Sequence, residues 1–200
     1  PARLERSEQP ARVVAIAAST GGPAALQRIL CDLPPAFALP VLVTQHMAPG
    51  FTRGLCSWLS RTCGREVTLA AGGEPLRPGS VHLAPDDRHL GVAHHRIRLS
   101  DADPVGGFRP SATALFASVA RAYGAGAVGV ILTGMGDDGV AGLRAVRAAG
   151  GRVIAQDEDS SVVYGMPKEA LRAGVVDRVL PLDAVAPALR TLAQEHRDRT

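Results

Sequence analysis

Residues 128–139 read VGVILTGMGDDG: five apolar residues in succession, then a loop with three glycines and two adjacent carboxylates. The apolar run suits a strand covered on both faces, and a glycine-rich loop after it suits a sharp turn into a helix. Gly134, Gly136 and Gly139 also satisfy the spacing of a dinucleotide-binding loop. Asp157, in the apparent strand RVIAQD, lies about 20 residues further on, where a ribose-binding acid would be expected. Yet such a loop offers its N–H groups and a helix N-terminus to a pyrophosphate, and Asp137 and Asp138 would repel that ligand. Either the glycine spacing is accidental or the loop presents an acid.

The same strand–loop–helix plan recurs on both sides of this stretch. VVAIAA (13–18) is followed by STGGP and by Leu26, Ile29, Leu30 and Leu33, one helical stripe that Pro23 is placed to open. PVLVTQH (40–46) leads through MAPG into a helix carrying Leu55, Trp58 and Leu59, with Gly64 as its stop. EVTLA, SVHLAP and the pair LGVAHH and RIRLS read as short strands, so residues 66–100 are expected to form an excursion with a hairpin. Ser111 can cap a helix whose apolar face is Leu115, Phe116, Val119 and Tyr123. After TGMGDDG come a helix, the strand RVIAQ, a helix opened by Pro167, the strand VVDRVL, and a last amphipathic helix using Val185, Leu189 and Leu192. The expected fold is α/β, a three-layer αβα sandwich on a doubly wound, mostly parallel sheet with a short antiparallel hairpin excursion.

At 200 residues and 46% hydrophobic content the chain can bury one substantial core. PARLERSEQPAR is polar and bounded by proline, which suggests that residues 1–12 are the remnant of a linker to a partner upstream. The compact domain is expected over 13–196, with 197–200 as a tail. No apolar stretch approaches the roughly 20 residues of a membrane helix, so direct membrane insertion is not expected. Cys31, Cys56 and Cys63 form no CxxC pair and leave an odd count, which favours reduced thiols and a cytoplasmic location. The net charge is +3, and all but one of the 22 basic residues are Arg scattered among acids. With no basic run and few aromatics to stack on bases, nucleic-acid binding is not expected.

In an open α/β sheet, functional groups gather at the carboxyl ends of the strands. Three such ends carry chemistry here: Ser19 after the first strand, His46 after the second, and Asp137 or Asp138 in the glycine loop. A nucleophile, a base and an acid are the set required for acyl transfer. Ser19 sits at a tight turn through Thr20, Gly21 and Gly22, where neighbouring N–H groups can stabilise an oxyanion. Each residue also has a plainer reading. Ser19 can cap the following helix, His46 can be a packed histidine, and one of the two carboxylates can cap the helix that begins at Gly139. His82, His89, His94 and His95 cluster in the hairpin region, but with no Cys or carboxylate at ligand spacing a zinc site is not expected. If the segment is a strand, His94 and His95 point to opposite faces.

Four stretches, AASTGGP (17–23), TQHMAPGFTRGL (44–55), ILTGMGDDG (131–139) and IAQDEDSSVVYGMPKEA (154–170), resemble the catalytic domain of the bacterial chemotaxis protein-glutamate methylesterases, the CheB family. The resemblance covers about residues 13–190. It implies hydrolysis of γ-glutamyl methyl esters on the cytoplasmic helices of methyl-accepting chemotaxis receptors, with release of methanol; some members also deamidate receptor glutamines. It places the nucleophile on Ser19, the base on His46 and the orienting acid on Asp138, with the Met135 N–H, and secondarily that of Thr20, in the oxyanion hole. No metal or cofactor is implied.

The chain departs from the family pattern at VGGFRPS (105–111), where polar and basic residues are usual before Arg-Pro-Ser, and at Thr113, where an acid is common. These departures leave the receptor contact open. The N-terminal receiver domain usual in the family is not within these 200 residues. Two other readings follow from the same residues: an esterase acting on a non-receptor substrate, and a non-catalytic receptor-docking or nucleotide-binding module.

Overall fold

The computed structural model describes residues 9–197, with side chains to 194. The proposed linker lies largely outside the described residues, as does most of the tail.

In chain order the elements are β1 (Val13–Ala18), α1 (Gly22–Asp32), β2 (Val41–Gln45), α2 (Thr52–Cys63), β3 (Val67–Leu69), β4 (Val81–Leu83), β5 (His89–Ala93), β6 (Arg96–Ser100), α3 (Ala112–Tyr123), β7 (Ala127–Ile131), α4 (Val140–Ala148), β8 (Arg152–Gln156), α5 (Met166–Arg172), β9 (Arg178–Leu180) and α6 (Leu182–Arg197). A seven-stranded sheet runs in the order β3-β4-β2-β1-β7-β8-β9, and each of its pairings is parallel. β5 and β6 pair separately and antiparallel.

The continuous apolar runs are strands buried on both faces. Val14 and Ile16 of β1 face one core with Leu26, Ile29 and Leu30 of α1, Leu59 of α2 and Leu189 of α6. Val13, Ala15 and Ala17 face the other, with Phe116 of α3, Leu143 of α4 and Met166 of α5. This alternation on one strand is the period of two expected of a sheet with helices on both sides. The β5–β6 hairpin adds Leu90, Val92 and Ile97 to the second core. It is tied to α3 by Ser118 Oγ, which accepts from the Val92 N–H at 2.7 Å and donates to the Val92 carbonyl at 3.1 Å.

The chain runs from β1 to β2 on one side and later returns to place β7 on the other. The order in which strands are added therefore reverses between β1 and β7, which is where an open α/β sheet leaves a crevice. Ser19 and the glycine loop flank that crevice.

Three expectations need correction. The 66–100 region is not wholly an excursion, because β3 and β4 extend the parallel sheet in register, Thr68 opposite His82. Strands of three residues are too short for apolar periodicity to reveal their direction. His94 and His95 are not strand residues; both have φ in the left-handed region, 50° and 58°, and form the turn between β5 and β6. The three cysteines are not all reduced: Cys31 and Cys63 are joined by a disulfide, and Cys56 is free and buried. Two successive βα units lay α1 and α2 side by side and bring the ends of both helices together, with 4.3 Å between the two cysteine Cα atoms. A 32-residue separation gives no local sign of that proximity, and the cysteine argument for a reducing compartment falls with it.

Candidate active site

The end of β1 is held between the ends of its two neighbours. The His46 N–H donates to the Ala18 carbonyl at 2.9 Å, and the Ser19 N–H donates to the Thr133 carbonyl at 3.0 Å. Gln45, buried at the end of β2, donates from Nε2 to the carbonyls of both Ser19 and His46 at 2.8 Å. One amide side chain thus fixes the backbone of both residues.

Ser19 does not cap α1. The N-cap is Gly21, with φ 81° and no side-chain capping bond, so the Ser19 hydroxyl is not consumed by the helix. On the other side of the crevice, Gly134 comes against Ser19. A Cβ at Gly134 would lie 2.6 Å from Ser19 Cβ and 2.5 Å from Met166 Sδ. The glycine therefore serves close approach to the serine side of the crevice. The loop is clamped from behind: the Gly134 N–H donates to the Val163 carbonyl, while the N–H groups of Gly165 and Met166 donate to the Gly134 carbonyl.

The question of the two carboxylates has a structural answer. Asp137 is exposed, whereas Asp138 is 6% exposed. Neither caps α4, whose N-cap is Gly139 with no side-chain bond. Asp138 instead sits against the N-terminus of α3. Its carboxylate accepts from Ser111 Oγ at 2.8 Å, the Ala112 N–H at 2.7 Å and the Thr113 N–H at 3.0 Å. Ser111 caps the same helix, as expected, accepting from the Ala114 N–H at 3.3 Å. Thr113 returns the contact by accepting from the Gly139 N–H at 2.8 Å, which locks the acid-bearing loop to α3.

His46 Nε2 lies 2.9 Å from Asp138 Oδ2, with the two side chains 10% and 3% exposed. Burial works against ionisation of Asp138, but the bonds from His46, Ser111, Thr113 and Ala112 outweigh it and hold the carboxyl below its usual range. Helix N-terminal N–H groups favour negative charge in the same direction. Both ring nitrogens of His46 are buried, and apart from the 2.9 Å approach of Nε2 to Asp138 neither has a hydrogen-bond partner among the described residues, Ser19 included. The arrangement therefore supplies a histidine anchored through one nitrogen to an ionised carboxylate, with its other nitrogen unengaged. The N–H groups of Thr20 and Met135 make no hydrogen bond within the described chain.

Asp86 was not singled out from sequence, yet it pins the loop after His46. One oxygen accepts from the Gly50 N–H at 2.7 Å and the other from the Thr52 hydroxyl. Gln45 (at the same strand end as His46), Thr133 and Phe108 contribute as well, in roles that their place in the sequence does not reveal. The ring of Phe108 stacks on His46, with centroids 4.4 Å apart and planes inclined by 10°. Asp157, the acid at dinucleotide spacing, is turned into its own loop, where Oδ1 accepts from the N–H and the hydroxyl of Ser160. Of the hairpin histidines, His89 bridges Ser111 and Asp103, His82 contacts Thr68, and His95 contacts Tyr123.

The fold is a doubly wound α/β domain whose polar machinery is concentrated at the carboxyl edge of its sheet, as in many enzymes of this class. A family model described as CheB methylesterase matches residues 14–189, and the chain belongs to that family. It is 59% identical over 180 residues to protein-glutamate methylesterase/protein-glutamine glutaminase 3 of Anaeromyxobacter dehalogenans (strain 2CP-C), covering 89% of this chain and 53% of that protein. It is 57% identical to protein-glutamate methylesterase/protein-glutamine glutaminase 4 of Myxococcus xanthus (strain DK1622), covering 88% of this chain and 50% of the relative. The chain spans about half the length of these curated relatives. The crystal structure of the Thermotoga maritima CheB methylesterase catalytic domain superposes with a TM-score of 0.87 at 39% identity, covering 92% of this chain and all of the other.

Proposed function

We propose that this domain is a serine esterase that removes methyl esters from glutamate side chains of chemoreceptors, with Ser19 as nucleophile, His46 as base and Asp138 as orienting acid. The carrying observation is the 2.9 Å contact of His46 with a buried Asp138, at the strand end beside Ser19. Ser19 Oγ attacks the ester carbonyl while His46 takes its proton. Since Nε2 is committed to Asp138, the accepting atom in this ring orientation is Nδ1. Asp138 stabilises the imidazolium that forms. The N–H groups of Met135 and Thr20 receive the oxyanion. His46 then protonates departing methanol, and a water activated by the same ring releases the carboxylate from Ser19. No step requires a metal or cofactor. The same sequence acting on a glutamine amide would release ammonia, the second activity in the names of the relatives.

A protein substrate is favoured by the surface around the crevice. Phe51, Met135 and Val162, on the loops after β2, β7 and β8, are 64%, 74% and 69% exposed. An apolar rim of this kind suits a helical protein surface better than a small soluble ester. The expected partners are therefore the cytoplasmic helices of methyl-accepting receptors, and the place of action the cytoplasm, where a receiver domain joined upstream would add control. No described helix is long and apolar enough to cross a membrane.

The test is methanol release from a receptor fragment carrying methylated glutamates, comparing the chain with its Ser19→Ala variant. Release by the first alone supports the reading. Hydrolysis of a panel of small esters with no action on the receptor would transfer the same machinery to a non-receptor substrate.

A further inference from the structure

Phe108 contacts the proposed base from an unexpected direction. We infer that Phe108 is a positioning residue for this reaction, whose ring fixes the plane of the His46 imidazole while Nε2 stays against Asp138. The inference rests on the assignment of His46 as base.

Asp138 holds Nε2 at a single contact. One contact fixes the position of that nitrogen but leaves the ring able to tilt about it, and among the described residues Nδ1 has no partner to prevent this. A nearly coplanar phenyl face at 4.4 Å removes that freedom, because any tilt drives one edge of the imidazole into the phenyl ring and lifts the other away. Catalytic geometry is sensitive on this scale: a misplacement of about 1 Å can cost on the order of 100-fold in rate.

The chain around Phe108 is built to hold it there. Val105 and Phe108 exchange both backbone hydrogen bonds across a two-residue turn, at 3.1 and 3.0 Å. Gly106 and Gly107 have φ of 59° and 84°, which that turn demands and which other residues adopt with strain. Beyond the turn, the Arg109 guanidinium pairs with Asp87 at 2.7 Å and donates to the Asp101 and Ala102 carbonyls at 3.2 Å. Before it, His89 Nε2 donates to the Asp103 carbonyl at 3.1 Å. The turn is thus braced on both sides, and what it presents is the aromatic ring. Phe108 and Asp138 also border one cavity, of about 310 Å³, so removing the phenyl would add open space beside the base.

The experiment compares wild type, Phe108→Leu, Phe108→Tyr and His46→Ala, each confirmed as folded by its thermal transition. The first readout needs no substrate. In wild type the carbon-bound protons of His46 are shifted upfield by the phenyl ring current, the shift vanishes in Phe108→Leu, and it persists in Phe108→Tyr. The second is steady-state hydrolysis of the methylated receptor fragment. Phe108→Leu is expected to lower kcat by about 10- to 100-fold with KM changed less than about two-fold, and Phe108→Tyr to recover most of the rate. An unchanged kcat in Phe108→Leu, a loss confined to KM, or failure of Tyr to restore the rate would overturn the positioning role. Full activity in His46→Ala would instead remove the assignment of the base on which it rests.

Discussion

His46 and His89 lie near one another in the hydrogen-bond network around Ser111, and they differ in how many of their ring nitrogens are engaged. At His89, Nδ1 accepts from the Ser111 N–H at 3.2 Å, and Nε2 donates to the Asp103 carbonyl at 3.1 Å. Its tautomer is fixed and neither nitrogen remains for chemistry. At His46, Nε2 approaches Asp138 at 2.9 Å and Nδ1 meets no hydrogen-bond partner among the described residues. Both rings are largely buried, so burial does not separate the bracing histidine from the proposed base. The difference is the partner list: two backbone groups complete a brace, whereas one carboxylate contact and one nitrogen without a partner leave a ring that the proposed mechanism uses as its base.

The strongest way to break this comparison is to remove the group His46 is meant to serve. Ser19→Ala should lower methanol release by on the order of 10⁶-fold if the three residues act as a unit, as the corresponding set does in subtilisin. His46→Ala should fall by a similar factor. A loss of only a few-fold in either would falsify the assignment.

Asp138→Asn comes next, at about 10⁴-fold in kcat, because an amide neither fixes the ring tautomer nor stabilises the imidazolium. The same substitution should also destabilise the fold, since the carboxylate accepts from two N–H groups at the start of α3. The pH dependence of stability follows from the direction of its shift. A carboxyl whose folded pKa lies below its unfolded value adds stability at pH above the unfolded value. That contribution disappears as pH falls through the folded value. Wild type should therefore lose more stability than Asp138→Asn on acidification, which urea titrations at several pH values would reveal.

The legible part of this molecule was the part with local signals. Continuous apolar runs gave the buried strands, and the helical stripes gave α1, α2 and α3, because both patterns are periodic over a few residues. Ser19, His46 and the acidic loop stood out because each closes a strand. What stayed hidden depends on pairing across the chain. Nothing near Asp138 indicates that it binds the start of α3 instead of capping α4, and Thr68 gives no hint that β3 runs parallel to β4. The Cys31–Cys63 bond escapes for the same reason. Phe108 was visible as a departure, but its stack on His46 emerges only when a turn from one segment meets a strand end from another.

His89→Ala sharpens the contrast from the structural side. It strands the buried Ser111 N–H, which should cost about 1–3 kcal/mol, read from the urea midpoint, while the carbonyl of exposed Asp103 can turn to water. Its effect on kcat should be smaller than that of Asp138→Asn by orders of magnitude, since it touches no reacting group. Equal losses of rate would merge the two histidines into one machine and end the distinction.

The smallest expected effect separates anchoring from chemistry within the acidic loop itself. Thr113→Val keeps the shape of the side chain and the backbone N–H that Asp138 uses, but deletes the oxygen that accepts from the Gly139 N–H. The loss should be about 1 kcal/mol of stability, the ordinary worth of one such bond. Asp138 would keep its bonds from Ser111 and Ala112, so kcat should fall only a few-fold. A much larger fall in kcat at unchanged stability would mean that the Gly139 contact sets the position of the carboxylate against His46. The anchor of α4 would then belong to the catalytic geometry, and the boundary between the reactive and structural regions would lie one residue further along the loop.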